Sequence, residues 1–303
     1  MRQLSIMRRL KRDRIYLLLL APALLHYLLF RYVPMFGITV SFMDYNLFKG
    51  VWASDWVGFK HYRTFFNSPD AWVIIRNTLV LGIYKFVFSF PAPIILAILF
   101  HEMRWKKYRK FVQTVSYMPY FLSQVVISST LIMLLSPSTG WINHVIESFG
   151  FDPILFLQKS GWFRTIFVGS DVWQTAGYNS IIFLAALTTI DPQLYEAAKM
   201  DGAGRWKQTL HVTLPGIVPA IVILLILHLG YILEVSFDKA FLLGNAANMA
   251  VSDIVSTYVY RLGILGGSFS YATAIDVSMA VVSLLFIIVA NQISRRVGET
   301  SLW

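Results

Sequence analysis

The chain of 303 residues contains no cysteine and few charged side chains. The absence of cysteine excludes disulfides, thiolate metal sites and cysteine nucleophiles. Only 14% of the residues are charged and 56% are hydrophobic, whereas soluble domains carry roughly 25% charged residues. This composition is typical of a membrane protein.

Motifs for nucleotide and metal chemistry are also missing. No stretch matches the phosphate-binding loop G-x-x-x-x-G-K-[ST], and the six histidines show no metal-ligand spacing. The net charge of +10 does not indicate nucleic-acid binding, because the basic residues form short tracts beside apolar segments, as in a membrane-topology signal. We therefore predict no catalytic residue, no metal site, no cofactor and no nucleic-acid partner for this chain.

Long apolar runs are what the sequence has in abundance. Alternation with a period of two, which membrane β-strands show, is absent, so the predicted fold class is all-α. Six segments reach the ~20 residues that a bilayer core requires. They cover residues 15–42, 72–100, 111–135, 163–190, 217–237 and 271–293. We predict a polytopic membrane protein with six transmembrane helices in one domain, residues 1–303.

The distribution of Lys and Arg predicts the orientation of these helices. Basic residues concentrate in the N-terminal tail (1–14), the loop 104–110, the stretch 199–207 and the C-terminal tail (294–303). Because cytoplasmic loops carry an excess of Lys and Arg, all four regions are predicted to be cytoplasmic. The predicted location is the cell membrane, with both termini inside.

A polar segment, DPQLYEAAKMDGAGRWKQTLHVTLPG (residues 191–216), lies between two apolar segments. Asp191 followed by Pro192 is a helix start, since Asp caps the first turn and Pro suits the first helical position. Gly202 and Gly204 predict the end. The resulting helix of about ten residues is too short to be stable alone in water, so it needs a surface to pack on.

Two partners for this short helix remain open, the bilayer surface and another protein. Leu194, Ala197, Ala198 and Asp201 lie within i+3 and i+4 reach and form a narrow face with little bulk. A helix that lies on the bilayer has a strong apolar face rich in Leu, Phe and Trp. The carboxylates of Glu196 and Asp201 favour a protein partner instead.

The same residues carry a family resemblance. EAAKMDGAG, followed by VTLP at residues 212–215, resembles the EAA loop of permease subunits in binding-protein-dependent ABC importers, with Val212 where isoleucine is usual. The resemblance implies a coupling helix that docks on a separate ATPase subunit, which binds the ATP and Mg. It assigns this role to Glu196, Ala197, Ala198, Asp201 and Gly202.

Further stretches resemble the carbohydrate-uptake branch of these permeases, associated with polysaccharide-derived oligosaccharides. They include FRYVPMFGITVSFMDYN (30–46), FPAPIILAILFHE (90–102), QTVSYMPYFLSQVV (113–126) and STYVYRLGILGGSFSYATAI (256–275). The resemblance implies ATP-driven alternating access in membrane lipid. It also implies four kinds of partner: a second homologous permease, two cytoplasmic ABC ATPases, an extracytoplasmic solute-binding protein and an oligosaccharide.

Polar and aromatic residues inside the third and fourth spans indicate a sugar pocket. Pro119 breaks the third span beside Tyr120 and Gln124, and VWQTAGYNS (172–180) is more polar than lipid contact permits. Rings and amides suit the apolar faces and hydroxyls of sugars, although the same groups also join membrane helices to one another. Similarity to the maltose-type sugar permeases implies contacts from Tyr120, Gln124, Trp173, Thr175, Tyr178 and His228.

Two ionisable residues in the predicted spans are candidates for the transport pathway, Lys85 and Glu234. A charge at the bilayer centre is unfavourable by roughly 2.5–3.5 kcal/mol and marks function by default. Lys85 either pairs with Glu234 or Asp171 to hold helices together, or meets an acidic sugar such as a uronate. Both interpretations remain open.

Two other classes of protein also place aromatic and polar residues in spans. A membrane-embedded enzyme acting on lipid-linked sugars predicts facing carboxylates or a histidine cluster, which the sequence lacks. A secondary transporter predicts broken helices in two halves, and only the third span shows such a break. The importer permease is the preferred prediction.

Overall fold

The computed structural model describes residues 13–297, which are mostly helical. The first helices are α1 (Arg14–Phe42), α2 (Lys60–Phe66), α3 (Pro69–Ser89), α4 (Pro91–Glu102), α5 (Lys106–Tyr117), α6 (Gln124–Leu134), α7 (Trp141–Ser148) and α8 (Ser160–Leu187). They are followed by α9 (Pro192–Met200), α10 (Arg205–Gly230), α11 (Phe237–Leu243), α12 (Met249–Ser252), α13 (Val255–Val259) and α14 (Phe269–Val297). Most of the predicted tails, 1–14 and 294–303, lies outside the described residues.

Several of these helices are long and apolar enough to cross a membrane. Within residues 13–297, four helical runs qualify: Arg14–Phe42, Pro69–Glu102, Arg205–Gly230 and Phe269–Val289. The bent pair α5 and α6 makes a fifth if it is one span. Helix α8 has 28 residues but is not among them, since it carries amides such as Gln174 and Asn179. The all-α membrane fold is confirmed, while the number six stays a prediction.

The contacts divide the chain into two compact units, and the first contains residues 13–67 and 259–278 of the described part. Its strands are β1 (Met43–Asp44) and β2 (Asp55–Trp56), which pair antiparallel. The Phe42 ring stacks on Trp56, with centroids 5.7 Å apart. Lys60 donates a hydrogen bond of 2.9 Å to Asp44, which holds the pKa of that carboxyl below its usual range. The single domain predicted over 1–303 stays a prediction.

Helix α8 is the centre of the second unit, residues 68–258 and 279–297 of the described part. It packs against α3, α4, α5, α10 and α12. Toward its start, Phe163 and Phe167 join a buried apolar cluster with Leu81, Val168, Val235, Ala240, Leu243 and Ile254. Toward its end, Phe183 and Leu187 pack with Ala97 and Ile217. Side chains on α8 therefore reach most elements of this unit.

Gly177 lets α8 and α5 approach closely. A Cβ atom at this position would overlap the backbone carbonyl of Ser116 on α5. Lipid tails are as apolar as Leu, so helices in membranes associate through close packing, and small residues make that packing possible. The approach brings Tyr178, the next residue on α8, beside the turn that follows α5.

The structure corrects the predicted fifth span. The span was expected to cover 217–237, but α10 ends at Gly230, and Glu234 lies in an exposed turn rather than in a span. Beyond this turn, α11 packs against α6 and α8, and Lys239 is completely buried. The apolar sequence continues past Gly230, so hydropathy alone does not show where the helix ends.

Candidate functional site

The start of α9 is built as the sequence predicts. The Asp191 carboxylate accepts a hydrogen bond of 2.9 Å from the backbone N–H of Gln193, and Pro192 occupies the first helical position. A side-chain cap of this kind is worth about 1 kcal/mol, because it satisfies a backbone donor that has no partner inside the helix. Local sequence therefore determines where α9 begins.

The end of α9 depends on Gly202. Its φ angle is +72°, a left-handed conformation that side chains with a Cβ rarely adopt. The N–H of Gly202 bonds the carbonyl of Lys199 at 3.0 Å, and the N–H of Ala203 bonds the carbonyl of Ala198 at 2.9 Å. These two bonds form a Schellman motif. The predicted stop at Gly202 is confirmed.

One side of α9 is fixed to the rest of the second unit. The Tyr195 hydroxyl lies 3.1 Å from the Thr213 hydroxyl on α10, and the Tyr195 ring lies 6.1 Å from the His101 ring on α4. Near the start of α10, Arg205 forms an ion pair of 3.7 Å with Glu102 at the end of α4. Tyr195 therefore joins α9 to α4 and α10, and the Arg205–Glu102 pair joins α4 to α10.

The other side of α9 is exposed. Glu196, Ala197 and Asp201 are exposed, Ala198 is half-buried, and Met200 is 89% exposed. The large apolar side chains of Leu194 and Trp206 are exposed as well. This exposed side of α9, which we call the coupling surface, combines small residues, one glutamate and uncovered apolar side chains.

The break in the third span is confirmed, and one side chain of α8 satisfies it. Beyond α5 the chain makes a 3-10 turn over Met118–Phe121 and then bends by 97° into α6. The freed carbonyl of Leu122 accepts a hydrogen bond of 3.1 Å from the amide of Gln174. The same amide group accepts a bond of 2.8 Å from Gln124. Gln174, which is buried, therefore bridges the bend at Leu122 and the start of α6 at Gln124.

Two tyrosines stack beside this break. The Tyr120 and Tyr178 rings are nearly parallel, at 7°, with their centroids 3.9 Å apart, and Phe121 meets Tyr178 edge-on. Both tyrosines keep more than a third of their surface exposed. Nearby, Oε1 of Gln124 is buried and has no hydrogen-bond partner among the described residues. The arrangement offers an exposed aromatic face beside a buried amide oxygen.

Replacing Gln174 with leucine is expected to destabilise the bend strongly. The Leu122 carbonyl and the Gln124 amide would lose their partners, and each buried polar group left unpaired is unfavourable by about 1–3 kcal/mol. Thermal unfolding of the purified protein in detergent measures the change. Thr175→Val is the control, because Thr175 bonds only within its own helix, to the Asp171 carbonyl. Equal stability of the two variants would contradict the bridging role.

A second polar site surrounds His228. The His228 ring lies 5.6 Å from the Phe90 ring and 6.3 Å from the Phe86 ring, both near the end of α3. A cavity of about 210 Å³ opens here. Its lining consists of Ser89, Phe90, Pro93, Asn179, Ile182, Phe183, Leu224 and His228. Aromatic walls with a few polar groups are typical of small-molecule sites.

Next to this cavity, Asp171 on α8 binds two lysines. Its Oδ1 atom lies 3.8 Å from Nζ of Lys85 on α3 and 3.8 Å from Nζ of Lys239 on α11. Its Oδ2 atom accepts a hydrogen bond of 3.1 Å from the hydroxyl of Ser89. We call Lys85, Asp171 and Lys239 the charge cluster.

The structure brings some of the predicted sugar-site residues together and separates others. Tyr120, Gln124 and Tyr178 share one site, while His228 lines the separate cavity. Thr175 is half-buried and bonds to its own helix, and Trp173 is 56% exposed. A spacing of five residues places Trp173 about 140° around the helix from Tyr178, so the two rings face different directions. Contact with sugar stays a prediction for all six.

The charged candidates also separate. Of the two partners considered for Lys85, the structure selects Asp171. Glu234 forms no ion pair with any residue in the part of the chain that the structure describes. Lys239 was not among the candidate residues predicted from the sequence, because its burial follows from the packing of α11. It also gave no role to Ser89, although Ser89 lies one helical turn after Lys85 on α3.

Comparison with known proteins identifies the family. Residues 73–299 match the family described as binding-protein-dependent transport system inner membrane component. The polygalacturonan/rhamnogalacturonan transport system permease protein YteP of Bacillus subtilis is 44% identical over 302 residues, which cover 100% of this chain and 94% of that protein. Protein LplB of the same organism is 42% identical and is covered to 94%, against 99% of this chain.

A solved structure agrees. A chain of a bacterial alginate ABC transporter, crystallised in complex with an alginate pentasaccharide-bound periplasmic protein, superposes with a TM-score of 0.91 at 40% identity. The match covers 99% of this chain and 100% of that one. The chain therefore belongs to the family of binding-protein-dependent transport system inner membrane components, which are transport subunits of the membrane rather than enzymes.

Proposed function

We propose that this chain is a permease subunit of an ABC importer that takes up oligosaccharides released from acidic polysaccharides. The observation that carries the proposal is the likeness along the whole chain to a polygalacturonan/rhamnogalacturonan permease and to an alginate transporter. A second homologous permease, two ATPase subunits and an extracytoplasmic binding protein complete the importer. ATP and Mg bind to the ATPase subunits.

The coupling surface supports the proposal that ATP is hydrolysed by separate subunits that dock on this chain. The side of α9 that carries Glu196 is uncovered, and the opposite side is fixed to α4 and α10. Helix α10 is a continuous helical run from Arg205 to Gly230, with a π-helical turn at Thr209–Thr213 and Pro219 inside it. Thr213, which contacts α9, lies about 22 Å along this helix from His228, at 1.5 Å per residue. Closure of the ATPase subunits on α9 moves α10 and so changes access to the cavity.

The two polar sites supply groups that suit a sugar chain. The stacked rings of Tyr120 and Tyr178, each more than a third exposed, suit the apolar C–H surface of a sugar. His228 and Asn179 offer further hydrogen bonds in the cavity. Both sites draw on α8, so one oligosaccharide contacts them in turn as it passes.

Reconstitution tests the proposal. The chain is co-expressed with its partner permease and ATPase, purified in mild detergent and placed in proteoliposomes with the binding protein. Uptake of labelled oligogalacturonates is expected only when ATP and the binding protein are both present. Uptake that follows an ion gradient without ATP would support a secondary transporter and overturn the proposal. Chemical change of the sugar without uptake would support the membrane-embedded enzyme.

Glu196→Lys is expected to reduce ATP-driven uptake by about tenfold or more, since a coupling free energy of 1–3 kcal/mol corresponds to roughly 5–150-fold. Glu196 is exposed and makes no contact that holds α9 together, so membrane insertion should be unchanged. The measurement is uptake per ATP hydrolysed. Glu147→Lys, the same charge change on α7, is the control. Normal uptake by the Glu196 variant would count against docking through this surface.

A further inference from the structure

The charge cluster contains one carboxylate and two ammonium groups. Asp171 is nearly buried, and both lysine Nζ atoms lie 3.8 Å from the same Oδ1 atom. A direct charge-assisted hydrogen bond is about 2.7–2.9 Å long. Asp171 is therefore shared between the two lysines and fully engages neither.

Lys239 is fixed in its place. Its side chain is 0% exposed, and Nζ lies 3.5 Å from the Phe167 carbonyl and 5.3 Å from the centre of the Phe167 ring. Burial lowers the pKa of Lys239 to about 8. The cluster holds two basic groups against one carboxylate, an excess of one basic group. A buried charge of this kind calls for a counter-charge.

Lys85 is the most exposed member of the charge cluster. Its side chain is 30% exposed, against 0% for Lys239. One turn along α3, Ser89 both bonds to Asp171 and lines the cavity that contains His228. The charge cluster therefore borders the cavity, and Lys85 lies at the accessible edge of the cluster.

We propose that Lys85 binds a carboxylate of the oligosaccharide at the cavity lined by Ser89, Asn179 and His228. The inference rests on the proposed function and deepens it, because it names uronate charge as the property that is selected. When the sugar carboxylate binds, Lys85 turns to it and Asp171 pairs with Lys239 alone. Two carboxylates then balance two ammonium groups, and the excess charge disappears.

A purely structural role for the cluster makes a different prediction. Lys85, Asp171 and Lys239 lie on three helices, α3, α8 and α11, so the ion pairs also join these helices. If they did only that, loss of the Lys85 charge would affect all substrates equally. Selective loss of acidic substrates is the result that distinguishes ligand binding.

The experiment compares trigalacturonate with its fully methyl-esterified form in the reconstituted importer. The two sugars share a skeleton and differ in charge. Lys85→Gln is expected to lower uptake of the acid by about tenfold, the lower end of what a hydrogen bond to a charged group contributes at ~1.5–3 kcal/mol. Uptake of the ester should stay within about twofold of the unchanged importer. Lys85→Arg keeps the charge and should retain most uptake of the acid.

The absence of cysteine provides a second test that does not rely on the glutamine variant folding well. Lys85→Cys is modified with a reagent that adds an aminoethyl group or with one that adds a neutral methyl group. The unchanged importer, treated in the same way, controls for cysteines in the partner subunits. Recovery of acid uptake with the aminoethyl group alone supports the inference.

Four other outcomes are decisive. If acid and ester uptake fall together in the Lys85 variants, or if neither falls, Lys85 does not select the carboxylate. The same holds if both adducts restore uptake equally. If the unchanged importer takes up neither sugar under ATP, the proposed function has failed and the role of Lys85 falls with it.

Discussion

Gly202→Pro is expected to lower ATP-driven uptake by at least about tenfold, with normal insertion into the membrane. Proline requires φ near −65°, whereas Gly202 has φ of +72°. Proline also lacks the N–H that bonds to the Lys199 carbonyl. The end of α9 then rearranges, and the coupling surface loses its position relative to Arg205, where α10 begins.

Gly204→Ala is the matched control for this variant. Gly204 lies two residues further on, with φ of −67° and open space where a Cβ would be placed. A glycine is therefore lost from the same segment without strain. Uptake per ATP hydrolysed, measured in proteoliposomes, should be low for Gly202→Pro and close to normal for Gly204→Ala. If both variants take up sugar normally, the shape of this segment does not matter for coupling.

The second large effect is expected from Gly177→Ala in the middle of α8. The added methyl group would overlap the backbone carbonyl of Ser116, and backbone atoms cannot rotate away as a side chain does. Helices α5 and α8 must separate, and Tyr178 moves away from Tyr120. Overpacking of this kind destabilises by about 1–3 kcal/mol and sometimes more. We expect a lower thermal midpoint in detergent and a large loss of uptake.

Gly169→Ala is the control on the same helix. No atom lies within 4 Å of the position that its Cβ would occupy. Alanine is also a better helix former than glycine by about 0.8–1.0 kcal/mol. The stability of Gly169→Ala should therefore equal or exceed that of the unchanged protein. A Gly177 variant as stable as the Gly169 variant would show that α5 and α8 are not in close contact in the bilayer.

Features that depend on neighbouring residues could be predicted from the amino-acid sequence. The prediction of a membrane protein follows from composition, because the apolar runs reach the ~20 residues that are needed to cross the bilayer core. The start and end of α9 follow from Asp191, Pro192 and Gly202, whose effects act within a few residues. The break at Pro119 belongs to the same group, because proline removes a backbone bond wherever the chain places it.

Contacts between residues far apart in the chain could be found from the folded structure alone. Asp171 contacts Lys85 and Lys239, which lie 86 and 68 positions away, and no local pattern marks such a pair. Hydropathy placed Glu234 inside a span and Lys239 outside, whereas packing exposes the first and buries the second. Hydropathy averages over a window and takes no account of which face of a helix meets another. Which side chains pair between helices depends on which helix faces meet, and that is determined only when the chain folds.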